Sequence, residues 1–140
     1  MSYNVLIVDD SKSMRKVIQK SLAISGFAVG ECMEAENGRQ ALDLLEGSWV
    51  DLVLSDIHMP EMDGFELIRQ LRRNESFKDL PVVFITTEAN EDRLAELLQL
   101  GARAYLRKPF RPEEMRSVLG RVMGENNAFA MANSSEGNDF

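Results

Sequence analysis

Read for its apolar and polar positions, the chain repeats one theme: a short apolar run, then apolar residues at helical spacing. Val5-Leu6-Ile7-Val8 is continuously apolar and stops at Asp9-Asp10-Ser11, the pattern of a strand covered on both faces. Met14, Val17, Ile18 and Leu22 then recur at helical spacing, and Gly26 stands where such a helix would stop. Val29 to Ala35 predicts a weaker strand, interrupted by Gly30 and suited to a sheet edge, and Asn37-Gly38 precede a helix that turns Ala41, Leu42 and Leu45 inward. Leu52-Val53-Leu54 is too short for a helix and reads as a buried strand that delivers Asp56 at its carboxyl end. Pro60 and Gly64 bracket a tight connection, and Phe65, Leu67, Ile68 and Leu71 mark a third helix that runs out near Asn74. Pro81 opens a fourth strand, Val82 to Ile85, closed by Thr86-Thr87; Leu94, Leu97 and Leu98 predict the inward face of a helix ended by Gly101. Ala104-Tyr105-Leu106 is the fifth strand. It leads through Arg107-Lys108-Pro109-Phe110 to a last helix with Pro112 in its first turn, Met115, Val118, Leu119 and Val122 on its buried face, and Gly124 after its end.

Five strand-helix units whose strands are too apolar to face water imply an α/β fold, a parallel sheet with helices on both faces. Ligands of such folds collect at the carboxyl ends of the strands, where strand order reverses. The residues expected there are Asp9 and Asp10 after the first strand, Asp56 after the third, Thr86 at the end of the fourth and Lys108 after the fifth. Acidic residues at strand ends commonly just meet solvent; that accounts for one of the five residues but not for three carboxylates, a hydroxyl and an amine at four strand ends. Three carboxylates held together repel and raise one another's pKa unless a cation joins them. The donors are oxygens, with no cysteine and a single histidine nearby, which excludes a zinc site and suits Mg²⁺. Lys108 adds a positive charge and Thr86 a hydroxyl, so the same cavity is equipped for a phosphoryl group.

Composition narrows the reading. The chain has 140 residues, 44% hydrophobic and 28% charged, enough for one domain with a real core. A net charge of -7, with the basic residues scattered, argues against nucleic-acid binding. No apolar run approaches the roughly 18 residues of a membrane span, and no signal peptide is visible, so a cytoplasmic protein without membrane partners is expected. Cys32 reads as a small buried or edge residue without a role, Trp49 as a structural residue at the opposite pole of the sheet, and the methionines as gap-fillers. From Glu125 onward the sequence turns to Asn, Ser, Ala and Gly with no basic residue, which predicts a domain over 1–124 and a disordered tail over 125–140. Phe129 and Phe140 give that tail a second reading, as a docking peptide.

These residues together resemble the receiver domain of bacterial two-component response regulators, most closely the single-domain chemotaxis type. The resemblance runs from Tyr3 to about Met123 and rests on Asp9-Asp10, on Asp56 with Met59-Pro60 and Met62-Asp63-Gly64 after it, on Thr86, and on Tyr105 with Lys108-Pro109-Phe110. It implies a flavodoxin-like (βα)5 sheet of order 2-1-3-4-5 and a phosphoryl transfer from a kinase phosphohistidine to Asp56. It further implies Mg²⁺ held by Asp10, Asp56 and the backbone carbonyl of His58, with Asp9 acting through water. Thr86 and Tyr105 become the switch that alters a face made by the fourth helix, fifth strand and fifth helix. His58 and Glu88 become residues at the mouth of the site that tune the lifetime of the acyl phosphate, and Lys108-Pro109 is expected to be cis. The implied partners are a sensor histidine kinase and a downstream protein such as a flagellar motor switch. Gly101 to Tyr105 lacks the paired acids that DNA-binding relatives carry for dimerisation, so a monomer is expected.

Other readings stay open on the sequence. A phosphorelay intermediate, or a single-domain regulator outside chemotaxis, would carry the same motifs. A phosphatase of the haloacid dehalogenase type also forms an aspartyl phosphate, but it would place Asp-x-Asp after its first strand, where this chain has Asp9-Asp10. A nucleotide-binding fold would need glycines in Asp9-Asp10-Ser11-Lys12-Ser13-Met14, which has none. A binding module that keeps the fold without using its site would have lost the acceptor or the lysine, and both are present.

Overall fold

The computed structural model describes residues 2–124, an alternation of β1 (Tyr3–Val8), α1 (Lys12–Ser25), β2 (Val29–Ala35), α2 (Gly38–Gly47), β3 (Leu52–Ser55), α3 (Gly64–Arg73), β4 (Val82–Thr86), α4 (Glu91–Gln99), β5 (Ala104–Arg107) and α5 (Pro112–Met123). The expected disordered tail lies outside the described residues. All strand pairs are parallel and the sheet order is β2-β1-β3-β4-β5. This is the doubly wound, flavodoxin-like arrangement.

The strands sort their side chains alternately between two cores. Val5 and Ile7 of β1 and Val83 and Ile85 of β4 meet Ile18 and Leu22 of α1 and Met115, Val118 and Leu119 of α5. Leu6, Val8, Val82 and Phe84 point to the other face, against Ala41 and Leu45 of α2, Phe65, Leu67, Ile68 and Leu71 of α3, and Leu94 and Leu97 of α4. With α1 and α5 on one face and α2, α3 and α4 on the other, winding reverses between β1 and β3, which opens a crevice at their carboxyl ends. Helix starts are fixed at that same end. Ser11, Asn37, Asp63 and Asn90 each cap a helix by accepting from the backbone N–H three residues on, at 3.1, 2.9, 3.0 and 3.1 Å; such a cap contributes about 1 kcal/mol.

Two expectations about helix faces need correcting. Leu98 does not face inward but is 42% exposed, because α4 lies at the margin of the sheet and only Leu94 and Leu97 reach the core. Val17 is 48% exposed, while Arg15, Ser21 and Ser25 share the covered side of α1 with Ile18 and Leu22. Trp49 precedes β3 at the far pole, as expected, and lies on the surface with its indole N–H donating to Asp51 at 2.9 Å. Of the two readings of Cys32, buried or edge, the structure gives the second: it is an exposed residue of the edge strand β2.

Candidate functional site

Asp9 follows β1 directly. Its backbone N–H donates to Ala35 at 3.0 Å, one Oδ accepts the Ser11 N–H at 2.9 Å, and the side chain is almost wholly buried. Arg15, buried one turn into α1, donates to the Asp9 carbonyl at 2.7 Å and pairs with Glu34 of β2 at 2.7 Å. Asp56 emerges from the central strand, its N–H donating to Val8 at 2.8 Å and one of its Oδ atoms accepting the Ile57 N–H at 2.7 Å. Carboxylate oxygens of Asp9, Asp10 and Asp56 all lie within 4.8 Å of one another, graded from buried Asp9 to exposed Asp10.

Lys108 reaches into this cluster from beyond β5. Its Nζ stands 3.1 Å from Asp9 and 3.4 Å from Asp56, with the side chain largely buried. The Lys108–Pro109 peptide is cis, and the Lys108 N–H donates to the Thr86 carbonyl at 2.8 Å. Burial pushes the Asp56 carboxyl above its ordinary value; the Lys108 ammonium and the Ile57 N–H draw it down, and Asp9 adds to the rise. One lysine faces a cluster of three carboxylates, so negative charge is left over. A divalent cation with oxygen ligands fits this donor set.

The loop after Asp56 is shaped by Gly64. A Cβ there would come within 2.6 Å of the Phe84 ring, 2.9 Å of the Asp56 carbonyl oxygen and 3.0 Å of the Ile57 Cα, so only glycine lets α3 start this close to the end of β3. Its N–H donates to Ile57 at 2.7 Å, which closes the turn, and Glu61 takes a left-handed φ of 67° within it. His58 Nε2 and Glu88 Oε1 are 3.0 Å apart, joining the β3–α3 and β4–α4 loops. The Asn90 N–H, followed by His58, holds the Glu88 carboxyl below its usual range.

The structure thus gathers Asp9, Asp10, Asp56 and Lys108, and pairs His58 with Glu88. Thr86 is fully buried at the end of β4, its hydroxyl accepting the Glu88 N–H at 3.0 Å rather than touching the carboxylates. Tyr105 is half-buried on the α4 side of β5. Sequence reasoning missed Arg15, whose only signal was a basic residue beside apolar ones in α1, and it missed the Ile57 and Ser11 N–H donors, which no side-chain pattern can reveal.

Fold and site together define a doubly wound domain with an acidic, cation-ready crevice and a lysine at the reversal of strand order. The response regulator receiver domain family matches residues 5–120, and the chain belongs to that family: it is a two-component response regulator. It is 36% identical to the "Chemotaxis protein CheY homolog" of Campylobacter jejuni over 86% of this chain and 92% of that one. It is 38% identical to the "Phosphate regulon transcriptional regulatory protein PhoB" of Pseudomonas aeruginosa, over 85% of this chain but 51% of that protein. The structure of chemotaxis response regulator CheY4 of Vibrio cholerae superposes with a TM-score of 0.78 at 34% identity, covering 88% of this chain and all of that one.

Proposed function

We propose that Asp56 is the phosphoryl acceptor of a chemotaxis-type response regulator. The observation that carries this is the Asp56 carboxylate at the end of the central strand, 3.4 Å from Lys108 Nζ and beside Asp9 and Asp10. An Asp56 oxygen attacks the phosphorus of a kinase phosphohistidine; a P–O bond forms, the P–N bond breaks, and its electron pair returns to the histidine nitrogen. Little covalent chemistry falls to the protein, and alignment and charge neutralisation do the rest. Lys108 balances the growing charge on the phosphoryl oxygens. Asp10, Asp56 and the His58 carbonyl would hold Mg²⁺, with Asp9 acting through water; the ion's contribution is charge neutralisation.

Thr86 then donates its hydroxyl proton to a phosphoryl oxygen, and Tyr105 responds on the edge built from α4, β5 and α5. Reversing a 1:99 equilibrium takes about 5.5 kcal/mol, and charged hydrogen bonds contribute about 1.5–3 kcal/mol each. Contacts through Thr86 and Lys108 approach that sum, so phosphorylation alone shifts the balance and a bound target completes it. His58 and Glu88 flank the path of attacking water and set the lifetime of the phosphoryl group.

The relatives named for chemotaxis match over nearly their whole length, which favours that pathway and a receiver unit of residues 1–124. No described helix is long and apolar enough to cross a membrane. In this reading the protein is a cytoplasmic monomer whose partners are a sensor histidine kinase and a protein target such as a flagellar motor switch. The match over half of a transcriptional regulator keeps a regulator outside chemotaxis, single-domain or a phosphorelay intermediate, as the alternative. The test is intact-protein mass after incubation with acetyl phosphate, with and without Mg²⁺, for the parent and Asp56→Asn. One added phosphoryl group that needs both Mg²⁺ and Asp56 is expected; incorporation in Asp56→Asn would overturn the assignment.

A further inference from the structure

At the pole of the domain opposite the acidic crevice, the last turns of α5 and the start of β5 leave a groove. Arg103, Ala104, Val118, Arg121 and Val122 line it; it is open to solvent and offers about 330 Å³, at the small end of ligand-sized sites and enough for one aromatic ring. Its floor is apolar and its rim is basic. Arg103 is partly engaged, donating to the Asp79 carbonyl at 2.9 Å, whereas Arg121 has no ion pair among the described residues. β5 is an edge strand, so its outer backbone is unpaired within the sheet.

The chain leaves the described domain at the lip of this groove. Val122 is both part of its wall and two residues before Gly124, which ends α5 at φ 90°, a conformation that favours glycine and turns the chain off the helix axis. The sequence continues as Glu125-Asn126-Asn127-Ala128-Phe129-Ala130-Met131, and residues 125–140 carry Glu125, Glu136 and Asp139 but no lysine or arginine. From Gly124 to Phe129 the chain reaches at most about 17 Å, ample to return to a groove that starts at its own exit.

We propose that the segment after Gly124 docks on its own domain, with the Phe129 ring in the α5–β5 groove and Glu125 against Arg121. Charge sign, an apolar floor with one aromatic side chain in range, and the exit position all favour this occupant. A short tether gives it an effective concentration in the millimolar range, so a weak contact suffices. The docked segment lies over the α5 side of the β5 edge, on the opposite side of that strand from Tyr105, and any partner that needs this edge must displace it.

The test uses the full chain in solution NMR, parent against Phe129→Ala, with Phe140→Ala as a control. Docking predicts cross-peaks from the Phe129 ring to the Val118 and Val122 methyl groups that persist on dilution. It also predicts amide shifts at Ala104, Val118 and Val122 in Phe129→Ala but not in Phe140→Ala. A synthetic peptide of residues 125–134 should saturate the Phe129→Ala protein at a concentration at least about tenfold lower than the parent, whose own segment competes. Arg121→Glu, a surface change that leaves the core intact, should weaken the cross-peaks. Two results overturn the proposal: unmoved groove amides in Phe129→Ala with no ring cross-peaks, or cross-peaks that vanish on dilution, which would put the segment on a second copy.

Discussion

An aspartate stands just outside each end of β3, and the two have opposite fates. Asp51, before the strand, spends its oxygens locally: one accepts the Asn4 N–H at 2.8 Å and the other the Trp49 indole N–H at 2.9 Å, while its own N–H donates to Asn4 at 2.8 Å. Asp56, after the strand, has one backbone donor and a lysine shared with Asp9, and its carboxyl is raised by burial. Residue type and strand are the same; what differs is what the neighbouring strands deliver. At the amino-terminal pole β1 brings a donor, and the charge becomes part of the scaffold. At the carboxyl pole β1 brings two further carboxylates, and the charge stays available for chemistry.

The strongest way to break this contrast is at the two aspartates themselves. Asp56→Asn should abolish phosphoryl incorporation from acetyl phosphate, whereas Asp51→Asn should leave it at the parental level by intact mass. Next in size is a pair of glycines. Gly64→Ala forces a methyl group against Phe84 and the Asp56 carbonyl and should lower stability by about 2 kcal/mol in urea unfolding. Gly47→Ala, which ends α2 with nothing near the added carbon, should raise stability by a few tenths of a kcal/mol. Asp51→Ala removes the acceptor for two donors at a partly exposed site and should cost about 1 kcal/mol.

The smallest effect is in pH. Because the folded chain holds the Asp56 proton to higher pH than the unfolded chain does, that contribution to stability is full below the ordinary carboxylate value of about 4 and is lost as pH rises through the raised value. Thermal melts without metal should therefore show Asp56→Asn gaining on the parent as pH climbs through that window. Equal pH profiles for the two proteins would mean that burial does not penalise the Asp56 charge.

Much of this was legible because strands covered on both faces declare themselves as unbroken apolar runs. β1 and β4 are such runs, and the residue that ends each run is a site candidate by position alone. β2 was legible as an edge strand through Gly30 and its mixed polarity. Helix faces were less so: Leu94, Leu97 and Leu98 all fit the helical period, yet α4 covers the sheet with only two of them, since a marginal helix has a neighbour on one side. Arg15 escaped because a buried arginine is justified only by its acceptors, the Asp9 carbonyl and Glu34, which are distant in the sequence or invisible as backbone. Gly64 was read as a chain breaker, but its stricter requirement comes from the Phe84 ring on another strand.

The Thr86 hydroxyl adds something about timing. With one proton to give and lone pairs to receive, it already spends a lone pair on the Glu88 N–H, while its proton has no acceptor fixed by that bond. A single oxygen therefore records where the β4–α4 loop sits and is also the atom that would sense charge arriving at Asp56. In the proposed switch, a hydroxyl drawn toward the crevice would loosen the loop that carries Glu88, and with it the His58 contact. Detection of that charge and release of the His58–Glu88 contact would then be one event rather than two in sequence.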